Sequence, residues 1–383
     1  MRILHISSAR VLGGGERHLL DLTLALAARG HDVHIAFRPG SVLQEQLAAQ
    51  QLLPASNLFK LPLRNALDFK SARRLARIVR ERRIEIVHAH MARDYPLAAL
   101  ATRQSNEARL IITRHVLFPL SKIHRLTLSR VSRVIAVSEP VARTLSAQRI
   151  FPERKICVVP NGIDLQRFNA SGRAQGRASL CRTLGIDENR LLIGTLGELN
   201  PLKGHADFLR AAMLVAKQFP AADFVIAGAD SSDTGEHRAA LERLISESGL
   251  KGRAHLAGWL DDVAPYLSAL DVFVSASRNE SFGLVIVEAM ASQVAIVATM
   301  TEGARSIIED GVSGRLVAIG DVKALAASVC TLLADVDERR RLVAQALEAA
   351  RERFSLERMV ADTERIYMEA LDDKTDKRAS LSS

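Results

Sequence analysis

The 383-residue sequence has few cysteines and no long apolar segment. Its three cysteines, Cys157, Cys181 and Cys330, fall in no metal-ligand or CxxC spacing, and their odd number gives no disulfide framework, which indicates a reducing compartment. No stretch of about 18 apolar residues occurs, and the short apolar run after Met1 meets glycines rather than a small-residue cleavage site. These absences predict a cytoplasmic protein that is soluble or peripheral to the inner face of the membrane.

Acidic residues are scarce in the first half of the chain. Residues 1–185 contain 30 lysines and arginines against 12 acids, a net charge of +18, whereas residues 186–383 contain 22 against 31, a net charge of −9. A basic half predicts an anionic partner: nucleic acid, an acidic lipid surface or an anionic substrate. Nucleic acid is the weakest of these, because only 4 % of the residues are aromatic and no nucleic-acid-binding motif is present.

Short β-branched runs alternate with amphipathic helical patterns along most of the chain, as in "RILHIS" followed by "ERHLLDLTLALAARG". This alternation is typical of parallel sheets with crossover helices. The length exceeds that of most single cores, so we predict two doubly wound α/β lobes with a ligand cleft between them. The predicted divisions are a first lobe (1–168), a linker (169–189), a second lobe (190–353), a helix that crosses back to the first lobe (354–371) and a disordered tail (372–383).

A glycine-rich turn, Gly13 to Gly15, follows the first predicted strand and precedes a helix. Glycines let a ligand approach the backbone closely, and a helix N-terminus favours negative charge. The turn is not a P-loop, because no Gly-Lys-Ser/Thr follows, and His18 occupies the third glycine position of a dinucleotide fingerprint. It is therefore a candidate anion site, with a simple tight turn as the alternative.

A second candidate anion site is the stretch "GELNPLKGH", residues 197–205, after the first predicted strand of the second lobe. Lys203 lies there on a loop just before a helix, where loop amides and the helix dipole already attract an anion. A phosphate group suits this environment. A solvated lysine at a helix start is the alternative.

The segment "NESFGLVIVEAM", residues 279–290, predicts a largely buried helix. Ser281 is its expected N-cap, and the first turn then offers free backbone amides as a further anion site. That first turn contains Phe282, Gly283 and Leu284.

Two acids flank this apolar run, Glu280 ahead of the predicted helix and Glu288 within it. A carboxylate in such a helix needs a hydrogen-bonding partner, and the vicinal hydroxyls of a ribose would satisfy Glu288. Glu280 would face the hydroxyls or the developing positive charge of a reacting sugar. The alternative is an internal ion pair with Arg278 or Arg305.

Three histidines end predicted strands. His88 and His90 lie on one face of their strand, a spacing that suits a metal, but no third ligand of obvious spacing follows, so a structural role is favoured. His115 ends the strand "LIITRH", at the carboxyl edge where open α/β sheets bind ligands. Because the only Asp-x-Asp, Asp335 to Asp337, lies in an acidic helical stretch, we predict no metal site.

The basic half contains the amphipathic stretch Asp68 to Arg83, and "PLSKIHRLTLSRVSR", residues 119–133, repeats its mixture of apolar and basic residues. We expect the first lobe to bind an anionic membrane surface through Arg73, Arg74 and Arg77. Each basic side chain near such a surface contributes about 1 kcal/mol to the binding free energy. The alternative is an apolar stripe packed on the sheet beneath solvated arginines.

Together these stretches resemble the family-four retaining glycosyltransferases, which have the two-lobe GT-B fold. The resemblance covers nearly the whole chain, and a Glu, seven residues and a second Glu around Phe-Gly is its most specific motif. The matching stretches are "GGGERH" (13–18), "ARGHDVH" (28–34), "AVSE" (136–139), "VVPNGID" (158–164), the Gly197 to Gly204 loop and "ESFGLVIVEAM" (280–290).

The resemblance implies a metal-independent, retaining hexosyltransferase that uses a nucleotide diphosphate sugar, with UDP favoured, and no other cofactor. It implies a lipid-linked or envelope glycan acceptor and no nucleic-acid partner. Glu280 and His115 would contact the reacting sugar, Glu288 the ribose and Lys203 the diphosphate. The remaining donor-binding residues that it implies are Gly14, Gly15, Phe282, Gly283 and Leu284.

One position departs from the family pattern, because Glu198 stands where an arginine is common. That exchange removes one positive charge from the diphosphate site and adds a negative one. The competing interpretations are a GT-B nucleotide-sugar epimerase, a phosphorylase with pyridoxal phosphate, and a non-enzymatic scaffold of the same fold that binds polyanions.

Overall fold

The structure is a computed structural model that describes residues 1–10, 13–50, 52–105, 107–232 and 234–379, with the backbone alone described at residue 50 and at 374–379. Within these residues the strands are β1 (Arg2–Ser7), β2 (Asp32–Phe37), β3 (Leu58–Lys60), β4 (Ile86–Ala89), β5 (Arg109–Arg114), β6 (Arg133–Ala136), β7 (Ile156–Val158), β8 (Leu191–Leu196), β9 (Ala222–Ala227), β10 (Ala254–Gly258), β11 (Val272–Ser275), β12 (Ala295–Thr299) and β13 (Arg315–Val317).

The helices alternate with these strands. They are α1 (Gly14–Ala28), α2 (Val42–Gln50), α3 (Phe69–Glu81), α4 (Tyr95–Arg103), α5 (His124–Thr127), α6 (Glu139–Gln148), α7 (Arg173–Leu184), α8 (His205–Gln218), α9 (Glu236–Glu247), α10 (Ala264–Ala269), α11 (Leu284–Ala291), α12 (Glu302–Ile307), α13 (Val322–Ala334), α14 (Val336–Arg353) and α15 (Leu356–Ala379).

Two compact units divide the chain. Unit 1 comprises Met1–Gly162 and Leu356–Ser383, and unit 2 comprises Ile163–Ser355. Each is a parallel α/β unit, of strand order β3-β2-β1-β4-β5-β6-β7 in unit 1 and β10-β9-β8-β11-β12-β13 in unit 2. The prediction of two doubly wound lobes is therefore confirmed.

The strand order of each sheet reverses at one point, between β1 and β4 in unit 1 and between β8 and β11 in unit 2. Loops that leave the carboxyl ends of neighbouring strands diverge at such a point, which leaves a crevice where open α/β sheets bind ligands. The Gly13 turn follows β1, and the Lys203 loop follows β8. Topology therefore brings the two candidate anion sites to the two reversal points.

Helix α15 belongs to unit 1, where it packs against α1. Tyr367 is fully buried in the core that lines β1, and Glu364 binds Arg29 and His31, the latter with 2.6 Å between Oε1 and Nε2. The helix continues to Ala379, so residues 372–379 are helical rather than the disordered tail expected from their composition. Residues 380–383 of that predicted tail lie outside the described residues.

The chain passes from unit 1 to unit 2 at Gly162–Ile163, six residues before the predicted boundary at 168. The predicted linker 169–189 contains helix α7, which packs against α10 of unit 2. A Cβ on Gly176 would lie only 2.6 Å from the carbonyl oxygen of Pro265, so a glycine is required at this contact. Arg173 and Arg177 of α7 bind Asp271, which explains why a helix without a clear apolar stripe is stable here.

Candidate active site

The Lys203 loop is a tight turn with its own hydrogen-bond support. Asn200 Oδ1 accepts from the backbone amides of Leu202 and Lys203 at 3.0 and 3.3 Å. Gly204 follows with φ +68°, and a Cβ there would lie 1.9 Å from the carbonyl oxygen of Ala276 at the end of β11. Only glycine fits this position, so the loop is locked against the neighbouring strand.

The Lys203 side chain reaches the second candidate segment. Its stem runs past Gly197, where a Cβ would lie 3.3 Å from Lys203 Cδ, and its Nζ lies 2.8 Å from Glu280 Oε2. The two side chains are 27 % and 18 % exposed, so solvent and a ligand can reach both charges. The structure thus brings together two residues that are 77 positions apart in the sequence.

Glu198, the residue that departs from the family pattern, is directed towards the loop itself. Its Oε2 accepts from Asn200 Nδ2 at 3.0 Å, and its Oε1 accepts from the hydroxyl of Ser231. The first contact leaves Asn200 Oδ1 facing the amides of the Lys203 turn. Glu198 therefore orients the residue that supports the turn.

Helix α11 begins later than the sequence suggested. Its N-cap is Gly283, with φ +101°, and Leu284 is the first helical residue, so the prediction that Ser281 is the N-cap was wrong. A residue with a Cβ is strained at such a φ, which explains why the helix starts directly after the glycine. Ile286 N donates to Gly283 O at 2.9 Å, and the first amides of any helix have no intrahelical acceptor.

The loop ahead of α11 is fixed from two sides. Phe282 is buried and packs edge-on against Phe354, with 5.8 Å between ring centroids. From α12, Gly303 N donates to Glu280 O at 2.9 Å, and a Cβ on Gly303 would lie 2.4 Å from Phe282 O. The Glu280 backbone and the start of α11 therefore have a fixed geometry.

Glu288 lies partly buried on α11, one turn beyond the start of the helix. The two arginines considered as its ion-pair partners are Arg278 and Arg305. Arg278 binds Asp207 Oδ2 at 2.7 Å, and Arg305 is exposed on α12.

His205 is a site residue that the sequence analysis missed, although it directly follows Gly204. It is buried at the start of α8, with Nε2 at 3.1 Å from the carbonyl oxygen of Glu198. Burial lowers the pKa of His205 to about 4, and the charge of Lys203 acts in the same direction. The ring is therefore neutral at neutral pH, and it binds the two ends of the loop to each other.

In unit 1 the glycine turn forms the start of α1. Gly13 is the N-cap, and its amide donates to Glu16 Oε2 at 3.0 Å. A Cβ on Gly14 would meet nothing within 4 Å, whereas one on Gly15 would lie 3.4 Å from His115 Cγ. Gly14 thus leaves open space above the helix N-terminus, and Gly15 lets the His115 ring pack against the helix.

Asp94 lies at the reversal point of unit 1, at the start of α4, and sequence reasoning did not identify it. Its side chain is fully buried, and Oδ2 accepts from the Ser8 amide at 2.7 Å, directly after β1. Burial raises the pKa of Asp94 to about 6, while the bonds from Ser8 oppose the shift.

Five histidines cluster beside this point, on β1, α1 and the ends of β4 and β5. Spacing alone supplied no third partner for His88 and His90, but the fold adds three. Ring centroids are 4.9 Å apart for His18 and His115, 5.9 Å for His18 and His90, 6.0 Å for His90 and His115, and 5.2 Å for His5 and His90.

The five rings differ in their partners. His88 has hydroxyls at both ring nitrogens, from Tyr367 at 2.6 Å and Thr113 at 2.7 Å, which is the structural role favoured from the sequence. Within the described part of the chain, both ring nitrogens of His115 and Nδ1 of His90 are buried without a hydrogen-bond partner, and His18 is buried beside the Asn161 side chain.

Burial keeps these rings neutral. It lowers the pKa of His5 to about 3 and that of His18 to about 4, and mutual repulsion with His18 adds to the shift at His5. Burial also lowers the pKa of His90 and His115 well below the usual range. His115 therefore presents an uncharged imidazole.

Helix α3 is amphipathic in the structure as its sequence predicts, with one exception. Leu75 and Val79 on its apolar face are buried, whereas the apolar side chain of Phe69, the first residue of the helix, is 57 % exposed. The side chains of Arg73, Arg74 and Arg77 are exposed. The solvent-facing surface of this helix is therefore basic.

Asp335 Oδ1 accepts from the Glu338 amide at 2.9 Å, so the first aspartate of the Asp-x-Asp pair caps α14. Across the residues that the structure describes, every helix is too short or too polar to cross a bilayer.

Known proteins match this chain along most of its length. The model for glycosyltransferase family 4 matches residues 12–167, and that for glycosyl transferases group 1 matches residues 178–349. N-acetyl-alpha-D-glucosaminyl L-malate synthase of Bacillus anthracis is 25 % identical over 373 residues, which cover 93 % of this chain and 94 % of that protein. Lipopolysaccharide core biosynthesis glycosyltransferase LpsE of Rhizobium meliloti is 27 % identical over 350 residues, 90 % of this chain and 93 % of that protein.

Among solved structures, HepE of Anabaena in complex with UDP superposes with a TM-score of 0.85 at 21 % identity, covering 96 % of this chain and 100 % of that chain. HepE has also been crystallised with UDP-glucose. The two family models coincide closely with the two compact units, and the structural similarity shows the GT-B fold. The chain therefore belongs to the group 1 glycosyltransferases of family 4 and is a glycosyltransferase.

Proposed function

We propose that this glycosyltransferase moves a hexose-type sugar from a nucleotide diphosphate sugar, with UDP favoured, to an acceptor with retention of configuration. The observation that carries the proposal is the contact between Lys203 and Glu280 at the reversal point of unit 2. One cation and one acid, both accessible and both on fixed loops, suit a diphosphate and the sugar attached to it. The UDP and UDP-glucose bound by HepE support the choice of base.

In unit 2, the proposal assigns Lys203 to the diphosphate and the amides of Phe282, Gly283 and Leu284 to the phosphate and sugar. A helix N-terminus stabilises negative charge, so the start of α11 adds to the effect of Lys203. Glu288 would accept hydrogen bonds from the two ribose hydroxyls. In unit 1, the proposal assigns His115 to the transferred sugar, and Gly14 and Gly15 to close approach of the donor.

In the proposed reaction, the bond between the sugar C1 and the diphosphate oxygen breaks, and a bond from C1 to the acceptor oxygen forms on the same face. The acceptor proton goes to the departing diphosphate oxygen, so atoms and charges balance. Glu280 is bound to Lys203, and its role is to stabilise positive charge that develops on the sugar ring. Lys203 and the backbone amides stabilise the leaving group, and the proposal includes no metal ion or additional cofactor in the reaction.

We further propose a lipid-linked or envelope glycan acceptor at the cytoplasmic face of an anionic membrane. LpsE, a lipopolysaccharide core transferase, supports this class of acceptor. Exposed Arg73, Arg74 and Arg77 supply positive charge on α3, and Phe69 supplies an exposed apolar side chain at its start.

The second basic stretch adds better membrane anchors than α3 does. Around α5, Phe118 and Ile123 are each 62 % exposed and Leu126 is 75 % exposed. Lys122 and Arg125 alternate with them and are also exposed. Large apolar side chains beside basic ones match the interfacial region of an anionic bilayer, which accepts both.

A donor screen tests the enzymatic proposal. Purified protein is offered UDP-, GDP- and ADP-sugars, and transfer or slow hydrolysis with thermal stabilisation identifies the donor. We expect Lys203→Ala and Glu280→Ala to lower transfer at least about a hundredfold, and Lys217→Ala, an exposed lysine on α8, to retain wild-type activity. Wild-type turnover in a folded Lys203→Ala variant would contradict the assignment. Isomerised donor without glycoside would indicate an epimerase, and binding only to polyanions would indicate a scaffold.

Vesicle co-sedimentation tests the membrane proposal. Binding should require anionic lipid, fall as salt rises, and decrease sharply when Arg73, Arg74 and Arg77 are changed to Glu. The matched control makes the same change in charge on unit 2, with exposed Arg182, Arg243 and Lys251 changed to Glu. Equal recovery with neutral and anionic vesicles, or equal loss in the control, would favour a soluble acceptor.

A further inference from the structure

We propose that His18, His90 and His115 form a binding site for one divalent transition-metal cation, with Zn²⁺ as the best match. One ring nitrogen from each of the three lies within 4.8 Å of the other two. Ligand nitrogens around tetrahedral zinc lie about 3.4 Å apart, given zinc–nitrogen distances near 2.1 Å. To close the site, these nitrogens would have to approach one another by up to about 1.4 Å.

The three rings come from separate elements that the sheet holds in place. His18 lies on α1, His90 directly follows β4, and His115 directly follows β5. Gly15 keeps the start of α1 close to His115, because a Cβ there would lie 3.4 Å from the ring. The site is thus formed by backbone elements of one compact unit.

The ligand nitrogens are available. In the described residues, both nitrogens of His115 and Nδ1 of His90 are buried and have no hydrogen-bond partner, and the buried His18 ring has the Asn161 side chain beside it. Buried polar atoms of this kind are rare and usually indicate a ligand, water or ion. Three imidazole nitrogens this close to one another favour a cation, because one cation can accept a lone pair from each of them.

A neighbouring ring orients one of the ligands. His90 Nε2 lies 3.0 Å from His5 Nδ1. With the proton on His90 Nε2 and donated to His5, His90 Nδ1 carries a lone pair that can bind a cation. Second ring nitrogens of metal-bound histidines are commonly held in this way.

The other grouping, His5 with His88 and His90, is a weaker site. Both ring nitrogens of His88 are occupied by hydroxyls of Tyr367 and Thr113, and the nitrogens of His5 and His90 that face each other are already paired. A cation there would have to break these contacts.

The donor set predicts which cation binds. Three imidazoles without a carboxylate suit Zn²⁺, Co²⁺, Ni²⁺ and Cu²⁺, and they do not suit Mg²⁺ or Ca²⁺, which prefer oxygen. Three ligands also leave a fourth tetrahedral position for one additional ligand.

Occupancy would withdraw His115 from the role proposed above, so the cation should inhibit transfer. This consequence rests on the proposed function, whereas the binding site itself does not. Direct metal binding therefore tests the site independently of activity.

The experiment uses the tag-free full chain after chelator treatment. Co²⁺ titration should give visible absorption bands of tetrahedral cobalt that saturate at one ion per chain, and Zn²⁺ should displace them and raise the Tm. His18→Ala and His115→Ala should each weaken binding at least about tenfold. His237→Ala, a partly exposed histidine in unit 2, is the control and should bind like the wild type.

Three results would overturn the site: no stoichiometric Co²⁺ band, equal binding by Mg²⁺, or unchanged affinity in folded His18→Ala and His115→Ala variants. His115→Gln, which keeps a polar side chain, replaces His115→Ala if the latter fails to fold. If Zn²⁺ binds at these residues and transfer is unaffected, the site stands and the assignment of His115 to the sugar is wrong.

Discussion

Replacing Glu280 with Gln should separate nucleotide binding from catalysis. In the structure Lys203 Nζ is bound to Glu280 Oε2 at 2.8 Å, so the cation proposed for the diphosphate is partly neutralised before the donor arrives. Glu280→Gln keeps the size of the side chain and removes its charge. Lys203 then becomes fully available to the diphosphate, and a repulsive charge beside the diphosphate disappears.

The expected size of the effect follows from the exposure of the pair. Both side chains are partly exposed, at 27 % and 18 %, so solvent screens their attraction. Ion pairs of this kind contribute about 0.2–1 kcal/mol, so release of Lys203 should tighten UDP binding by at most about fivefold. Transfer should fall at least about a hundredfold, because the charge that stabilises the reacting sugar is lost.

Calorimetric titration with UDP and a transfer assay measure the two quantities on the same preparation. The Lys203→Ala variant should bind UDP more weakly than wild type. In the double variant with Glu280→Gln, UDP binding should tighten only because the repulsion between Glu280 and the diphosphate is lost, since no lysine remains to be released. Weaker UDP binding by Glu280→Gln than by wild type would refute the reasoning, as would tight binding with undiminished transfer.

Three further predictions concern other parts of the structure. Glu288→Gln should weaken UDP binding by about 1–3 kcal/mol in calorimetry, as expected for a charged hydrogen bond to ribose, and unchanged affinity would favour a structural role. Gly204→Ala should lower the free energy of unfolding by about 2 kcal/mol or more, because φ is positive there and the added Cβ would lie 1.9 Å from Ala276 O. Gly235 is the control, since it has a similar φ but nothing within 4 Å of an added Cβ, so Gly235→Ala should lower the stability less in thermal melts. The pKa of Asp94 is raised to about 6, so its contribution to stability, about 3 kcal/mol in total, is full below about pH 4 and is lost as the pH rises through 6. Asp94→Asn should therefore reduce the pH dependence of the free energy of unfolding in urea between these pH values. An unchanged pH profile would contradict a buried, protonated carboxyl.

The sequence alone predicted most of the strands, because their β-branched runs are buried on both faces and carry a continuous apolar signal. It missed β3, Leu58–Lys60, a three-residue edge strand that is too short for a pattern. It also missed α7, whose glycine and arginines conceal the helical period. That helix is stabilised by contacts with α10 and Asp271, which are distant in sequence.

The candidate donor residues were likewise predicted from local signals: a lysine before a helix, and two acids around Phe-Gly. Local signals placed the N-cap of α11 at Ser281, because serine is a favourable cap and a positive φ cannot be recognised from sequence. The close packing of Gly303 against Phe282 O fixes the chain so that the helix begins after Gly283.

Contacts between distant residues were decided only by the tertiary structure. The pairing of Lys203 with Glu280 depends on β11 beside β8, and the contact of Glu198 with Ser231 depends on β9 beside β8. The meeting of His18 with His90 and His115 depends on β4 between β1 and β5. Sequence patterns report which face of an element is apolar, and so they determine the elements and their loops. Which loops become neighbours depends on the order in which the strands pair, and that order is set by packing of the whole sheet rather than by any one segment.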